Sequence, residues 1–189
     1  MALGNQFKTD ELGGSAFAAT YTSEQYPLGT VAIQQADEVT AAAHTSTLSD
    51  TTNPKNLLGL KGDRTWVFVK AASTVTQYGC CIINAVGTSF EVKDVASDDD
   101  EVFDLVGVAQ NGIATGEYGW IVKTGEVVVL ATSVAAGAFL GTDGSTGAEG
   151  SVDESTDAND IIGRALTATA TLPSGSTLAG HAGAYVSFP

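Results

Sequence analysis

The carboxylates Asp98, Asp99, Asp100 and Glu101 stand in succession in the run SDDDE, and they are the residues here most suited to holding a cation. Hard oxygen donors of this kind suit calcium. On an extended strand successive side chains point to opposite faces, so only a loop could turn two or three of the four toward one ion. The plainer reading is a solvated loop whose charge keeps strand edges from pairing. A second acidic region holds Asp143, Glu149, Asp153, Glu154, Asp157 and Asp160. Ser145 and Gly147 stand where a helix-flanked calcium loop would need further acids, so this too reads as a solvent-facing loop.

Catalytic groupings are poorly represented. The two histidines, His44 in AAAHTST and His181 in LAGHAG, sit among small residues without an evident acid or nucleophile beside them. No GxSxG elbow, GxxxxGK[ST] loop or GxGxxG turn occurs, and the Ser-containing stretches GTS and DGSTG read as turns. Cys80 and Cys81 are adjacent, which places them on opposite faces of a strand as two small hydrophobes. They cannot staple distant segments, nor with two remote histidines do they make a zinc set. The expectation is a non-enzyme without cofactors.

The remaining functional candidates are aromatic. Tyr21, Tyr26, Trp66, Phe68, Tyr118 and Trp120 are candidates for a subunit interface, and Tyr21, Tyr26, Tyr78, Tyr118 and Trp120, if exposed on a β-surface, for a glycan platform. A place in the core competes with both readings.

The elements that must position these residues are strands. Only 16% of the 189 residues are charged, and Thr, Ser, Asn, Gln and 22 glycines make up the polar balance, which suits β-surfaces and tight turns. Eight basic residues against 22 acidic ones give a net charge of −14, which opposes binding to nucleic acid or to an anionic leaflet. The opening MALGNQFKTDELGG lacks the apolar run of a signal peptide, so folding in a reducing cytoplasm is expected.

Residues 1–60 are rich in small and Thr residues and read as an extended arm or peripheral contact segment, with a short strand beginning at Val31. Residues 61–189 read as a β-rich domain. Arg64 to Lys70 suggests a strand buried on both faces or at an interface, and CCII, Phe90 to Val95 and Phe103 to Gln110 suggest three more. WIVKT and VVVLA suggest a hairpin turning at Gly125 and Glu126, and Ile161 to Thr171 and AYVSFP suggest closing strands. Together these give an all-β domain, a compact sandwich or barrel of about eight short strands.

One further pattern bears on function. Gly107 to Asn111 (GVAQN), Ala114 to Glu117 (ATGE), Val122 to Val127 (VKTGEV), Ala136 to Asp143 (AGAFLGTD) and Gly163 to Leu166 (GRAL) follow one another in order. This order and spacing resembles that of the tailed-bacteriophage capsid decoration proteins, also called head-stabilising or cement proteins, over about residues 60–170. The resemblance implies a structural virion protein on the outer surface of the head, bound at junctions between major capsid protein subunits. It further implies homotrimers, assembly in the host cytoplasm and stabilisation of the expanded shell. A tail or fibre protein and a carbohydrate-binding β-domain are the rival expectations.

Overall fold

A computed structural model describes residues 6–8, 17, 19–34, 60, 62–84, 90–96, 105–142, 149–156, 161–175 and 177–188. Among these, thirteen strands carry the fold. They are β1 (Gln6–Lys8), β2 (Val31–Gln34), β3 (Arg64–Ala71), β4 (Cys80–Ile83), β5 (Glu91–Asp94), β6 (Leu105–Ala109) and β7 (Tyr118–Leu130). There follow β8 (Phe139–Gly141), β9 (Asp153–Glu154), β10 (Gly163–Ala165), β11 (Ala170–Thr171), β12 (Thr177–Leu178) and β13 (His181–Ser187). The fold is all-β, as the composition indicates, though divided among the described residues into more strands than the apolar runs suggest.

Eleven strands form one sheet in the order β1-β2-β3-β5-β4-β6-β7-β13-β10-β8-β9, and β3 also pairs with β7. That extra pairing closes β3, β5, β4, β6 and β7 into a ring, a small barrel within the larger sheet. The ring is filled by Val67, Val69, Cys81, Val92, Val106 and Ile121, with Val75 and Ile113 bridged across one end. A narrow bore admits β-branched and small side chains; the large rings lie outside it.

Alternation then puts Trp66, Phe68, Cys80, Val108, Trp120 and Val122 on the outer side of the ring, where a second layer buries them. That layer includes Leu140, Ile162, Ala165, Ala182, Ala184 and Val186 from β8, β10, β13 and their approach. The strand over Arg64 to Lys70 is therefore buried on both faces, as its uninterrupted apolar run predicts. Cys80 and Cys81 fall into different clusters, one on each side of β4.

The expected hairpin at Gly125 is replaced by a single strand of 13 residues. β7 pairs with β3 through Tyr118–Thr124 and with β13 through Thr124–Leu130, so the strand changes partners where a turn was expected. Gly125 has φ 127, and a Cβ on it would lie 2.7 Å from the Asp63 carbonyl oxygen. The glycine is there because β7 kinks past the start of β3, beside a register shift at Thr65 and Trp66.

Gln110 completes the second half of β7. Its side chain is fully buried; Nε2 donates to the Val128 carbonyl at 3.0 Å and Oε1 accepts from the Val128 N–H at 3.1 Å. One amide side chain thus supplies the two bonds that a neighbouring strand would otherwise make.

Candidate functional site

The six aromatic candidates gather on one side of the β3–β7 pair. The register sets Phe68 opposite Trp120 and Lys70 opposite Tyr118, and Tyr21 bridges to Tyr118 through backbone bonds of 2.9 and 2.8 Å. Tyr26 meets the Phe68 ring edge-on at 5.2 Å and the Trp120 ring at 5.3 Å, while Tyr118 stacks on Phe68 at 6.1 Å. Phe17 stacks on Trp66 at 4.9 Å and meets Trp120 edge-on at 5.4 Å.

Burial divides the set. Trp66, Phe68 and Trp120 are at most 1% exposed, so in this chain they are core and present no face to a partner. Tyr21, Tyr26 and Tyr118 are half-buried and pack against that core. Trp120 therefore offers no glycan platform, and Tyr118 is committed to Phe68. Within the first 60 residues, Phe17 enters the core and 19–34 run along the domain, with β2 antiparallel to β3.

The calcium candidates Asp98, Asp99, Asp100 and Glu101 lie outside the described residues, as do His44, Asp143, Asp157 and Asp160. Of the second acidic region, Glu154 accepts from the Ala135 N–H at 2.5 Å, holding a loop, and Asp153 accepts from the Glu154 N–H of β9 at 2.8 Å. Among the described residues no group of three or more His, Cys, Asp or Glu side chains is placed to hold a metal ion.

Four buried titratable groups, Cys80, Cys81, Asp94 and Arg64, are held in structural positions. Burial pushes the Cys80 thiol up to about 12, with Asp94 adding to the effect, and Cys81 rises well above its ordinary value for the same first reason. Neither is a ready thiolate. Asp94 accepts from the Thr76 N–H at 3.0 and 3.2 Å, and its carboxyl is raised chiefly by desolvation, against those bonds. Arg64 is 1% exposed, its Nε and Nη2 make no hydrogen bond, and burial lowers it to about 10 while the Glu126 charge opposes that shift.

His181 borders a shallow cleft of about 400 Å³ with Leu130, Thr132, Ser151 and Gly180. Its Nδ1 lies 2.7 Å from the Ala179 carbonyl, which accepts, so in the neutral ring the proton sits on Nδ1. The ring meets Tyr78 edge-on at 5.2 Å. Among the described residues, the cleft lining adds no second acid or base to the histidine.

The chemistry-bearing surface that the sequence did not single out lies on β8, β10 and β13. Phe139 is 53% exposed and Tyr185 46%, with exposed Arg164 paired between them in the sheet. The signal was present as alternation: Arg164 stands between Gly163 and Ala165, and Tyr185 between Ala184 and Val186.

No family model matches the chain, and no curated protein does. Among solved structures, the N base of the head fibre gp8.5 of bacteriophage phi29 is similar at 17% identity over 65% of this chain and 92% of that one, with a TM-score of 0.46. A likeness of that strength carries no argument about function.

Proposed function

We propose that this chain is a structural protein of a tailed-phage particle that binds the outer surface of the head at junctions between major capsid protein subunits and stabilises the expanded shell. The observation that carries the reading is where the residues of the sequence resemblance fall. They run along β6, the loop after it, β7, β8 and β10, and Gly107, Gly125 and Gly163 among them are packing positions. A Cβ on Gly107 would lie 2.5 Å from the Val122 carbonyl oxygen, and one on Gly163 would collide with the Tyr185 carbonyl. A pattern built from such positions describes a scaffold that presents surfaces, which is what holding a shell together requires.

Self-association as a homotrimer, a place on the virion exterior and assembly in the host cytoplasm belong to the same proposal. So does the lack of a catalytic role, a cofactor, and a nucleic-acid or membrane partner. The net charge of −14 suits a surface turned away from packaged DNA. A bridging role for residues 1–60 would fall on parts of that segment other than Gln6–Lys8, Phe17, 19–34 and Leu60, which the domain already uses.

Co-sedimentation of the purified protein with expanded heads that lack it tests the proposal. The expected result is saturable binding with hundreds of copies per head. Folded protein that stays in the supernatant, or binds at a handful of copies, would contradict it and favour a tail or fibre role.

A further inference from the structure

We propose that the outer face of β10 and β13 is a second self-association surface, separate from the contact that closes a homotrimer, on which another copy of this chain docks about a two-fold axis at Tyr185 with Arg164 of each copy against Glu126 of the other.

The register places Phe139 on β8, Arg164 on β10, Tyr185 on β13 and Glu126 on β7 directly opposite one another across four successive strands. Directly opposed residues share a face, so these four form one row. The neighbours along each strand, Leu140, Ala165, Ala184, Val186 and Val127, point inward and are buried, which leaves the row on the outer side. Exposed Leu166, just beyond β10, widens its apolar part.

The cation in the row is held in place. Arg164 Nε donates to the Gly137 carbonyl at 2.9 Å, and among the described residues its two Nη groups have no ion pair. A guanidinium anchored by Nε keeps an ordered pair of donors for a carboxylate.

The order of charges selects the occupant. Copies of a chain with net charge −14 repel one another unless a contact sets cation on carboxylate. Arg164 and Glu126 flank Tyr185 at one strand spacing, about 4.8 Å, on either side. A half-turn about Tyr185 exchanges the two, so the segment Arg164–Tyr185–Glu126 is its own complement, the condition for a two-fold contact. Glu126 also acts on Arg64, and a carboxylate offers about four acceptor sites, so it can serve both guanidinium groups. Any other partner would need the rings and Arg164 but would not require this symmetric order.

The test uses the full chain free of heads, so its outcome is independent of the head-binding proposal. Tyr185→Cys puts a thiol on the axis, and Cys80 and Cys81 are fully buried and do not compete. Under mild oxidation, disulfide-linked pairs are expected to form at least about ten-fold faster than in Ala114→Cys, an exposed control in the β6–β7 loop. Arg164→Glu should weaken pairing about ten-fold by analytical ultracentrifugation, and the Arg164→Glu/Glu126→Arg exchange should restore it. Near-ultraviolet circular dichroism checks that each variant is folded. Cross-linking no faster than the control, or an exchange variant no better than Arg164→Glu with the fold intact, would overturn the inference. Loss of head binding in Arg164→Glu with unchanged pairing would assign the face to another partner and overturn it as well.

Discussion

Two aromatic regions of this protein have opposite fates. On β3 and β7 the rings of Trp66, Phe68 and Trp120 are sealed beneath Phe17, Tyr26 and the β13 layer; on β8 and β13 the rings of Phe139 and Tyr185 stand in solvent beside Arg164. Residue type does not separate them. What does is whether a second layer lies over the strand: the β3–β7 pair is covered on both sides, whereas β10 and the Tyr185–Ser187 end of β13 are buried only on the inner one. Ring-bearing strands become core where the chain returns over them and surface where it does not.

The largest test of that contrast compares truncations in the two regions. Trp120→Ala is expected to cost about 3–5 kcal/mol, because it removes a fully buried ring and leaves a cavity. Phe139→Ala should change stability by less than about 0.5 kcal/mol. Urea unfolding of both variants measures the difference, and equal losses would break the comparison. Phe17→Ala should fall with Trp120→Ala, at about 3 kcal/mol or more, since its buried ring stacks on Trp66 and meets Trp120 edge-on.

Gln110→Ala comes next. It would leave the Val128 N–H and carbonyl without the amide that now satisfies them, costing about 1–3 kcal/mol by the same measurement. A neutral result would mean that β7 does not need this side chain to complete its second half.

Asp94 gives the smallest effect and one with a definite sign. Its carboxyl is raised above the ordinary 3.8 in the folded state, so between 3.8 and the raised value the folded state binds more protons than the unfolded one. This group's contribution therefore favours folding as pH falls through that window and is lost as pH rises above it. Asp94→Asn keeps an acceptor for Thr76 and should flatten that part of the stability-against-pH curve. An unchanged slope would contradict the assignment.

Much of the architecture was legible because β-branched runs and turn residues are local signals. Val67, Val69, Ile121 and the strand over Arg64 to Lys70 follow from alternation and apolar continuity. The error at Gly125 has a physical cause: a glycine that kinks a long strand and one that turns a hairpin look alike until the pairing partners are known. Phe17 was illegible as a core residue because nothing near it in sequence is strongly apolar; its burial depends on Trp66 and Trp120, far along the chain. Residues 19–34 join the domain through β2 and Tyr21 for the same non-local reason. The exposed row escaped notice since each strand contributes a single residue to it.

The central claim is that this scaffold works by occupying the head of a phage particle, and averaged electron microscopy of expanded heads incubated with the purified protein tests it most directly. The account predicts density of this β-fold repeated across the outer shell at junctions between capsid subunits. Bare heads at saturating protein, or density confined to the tail, would contradict it.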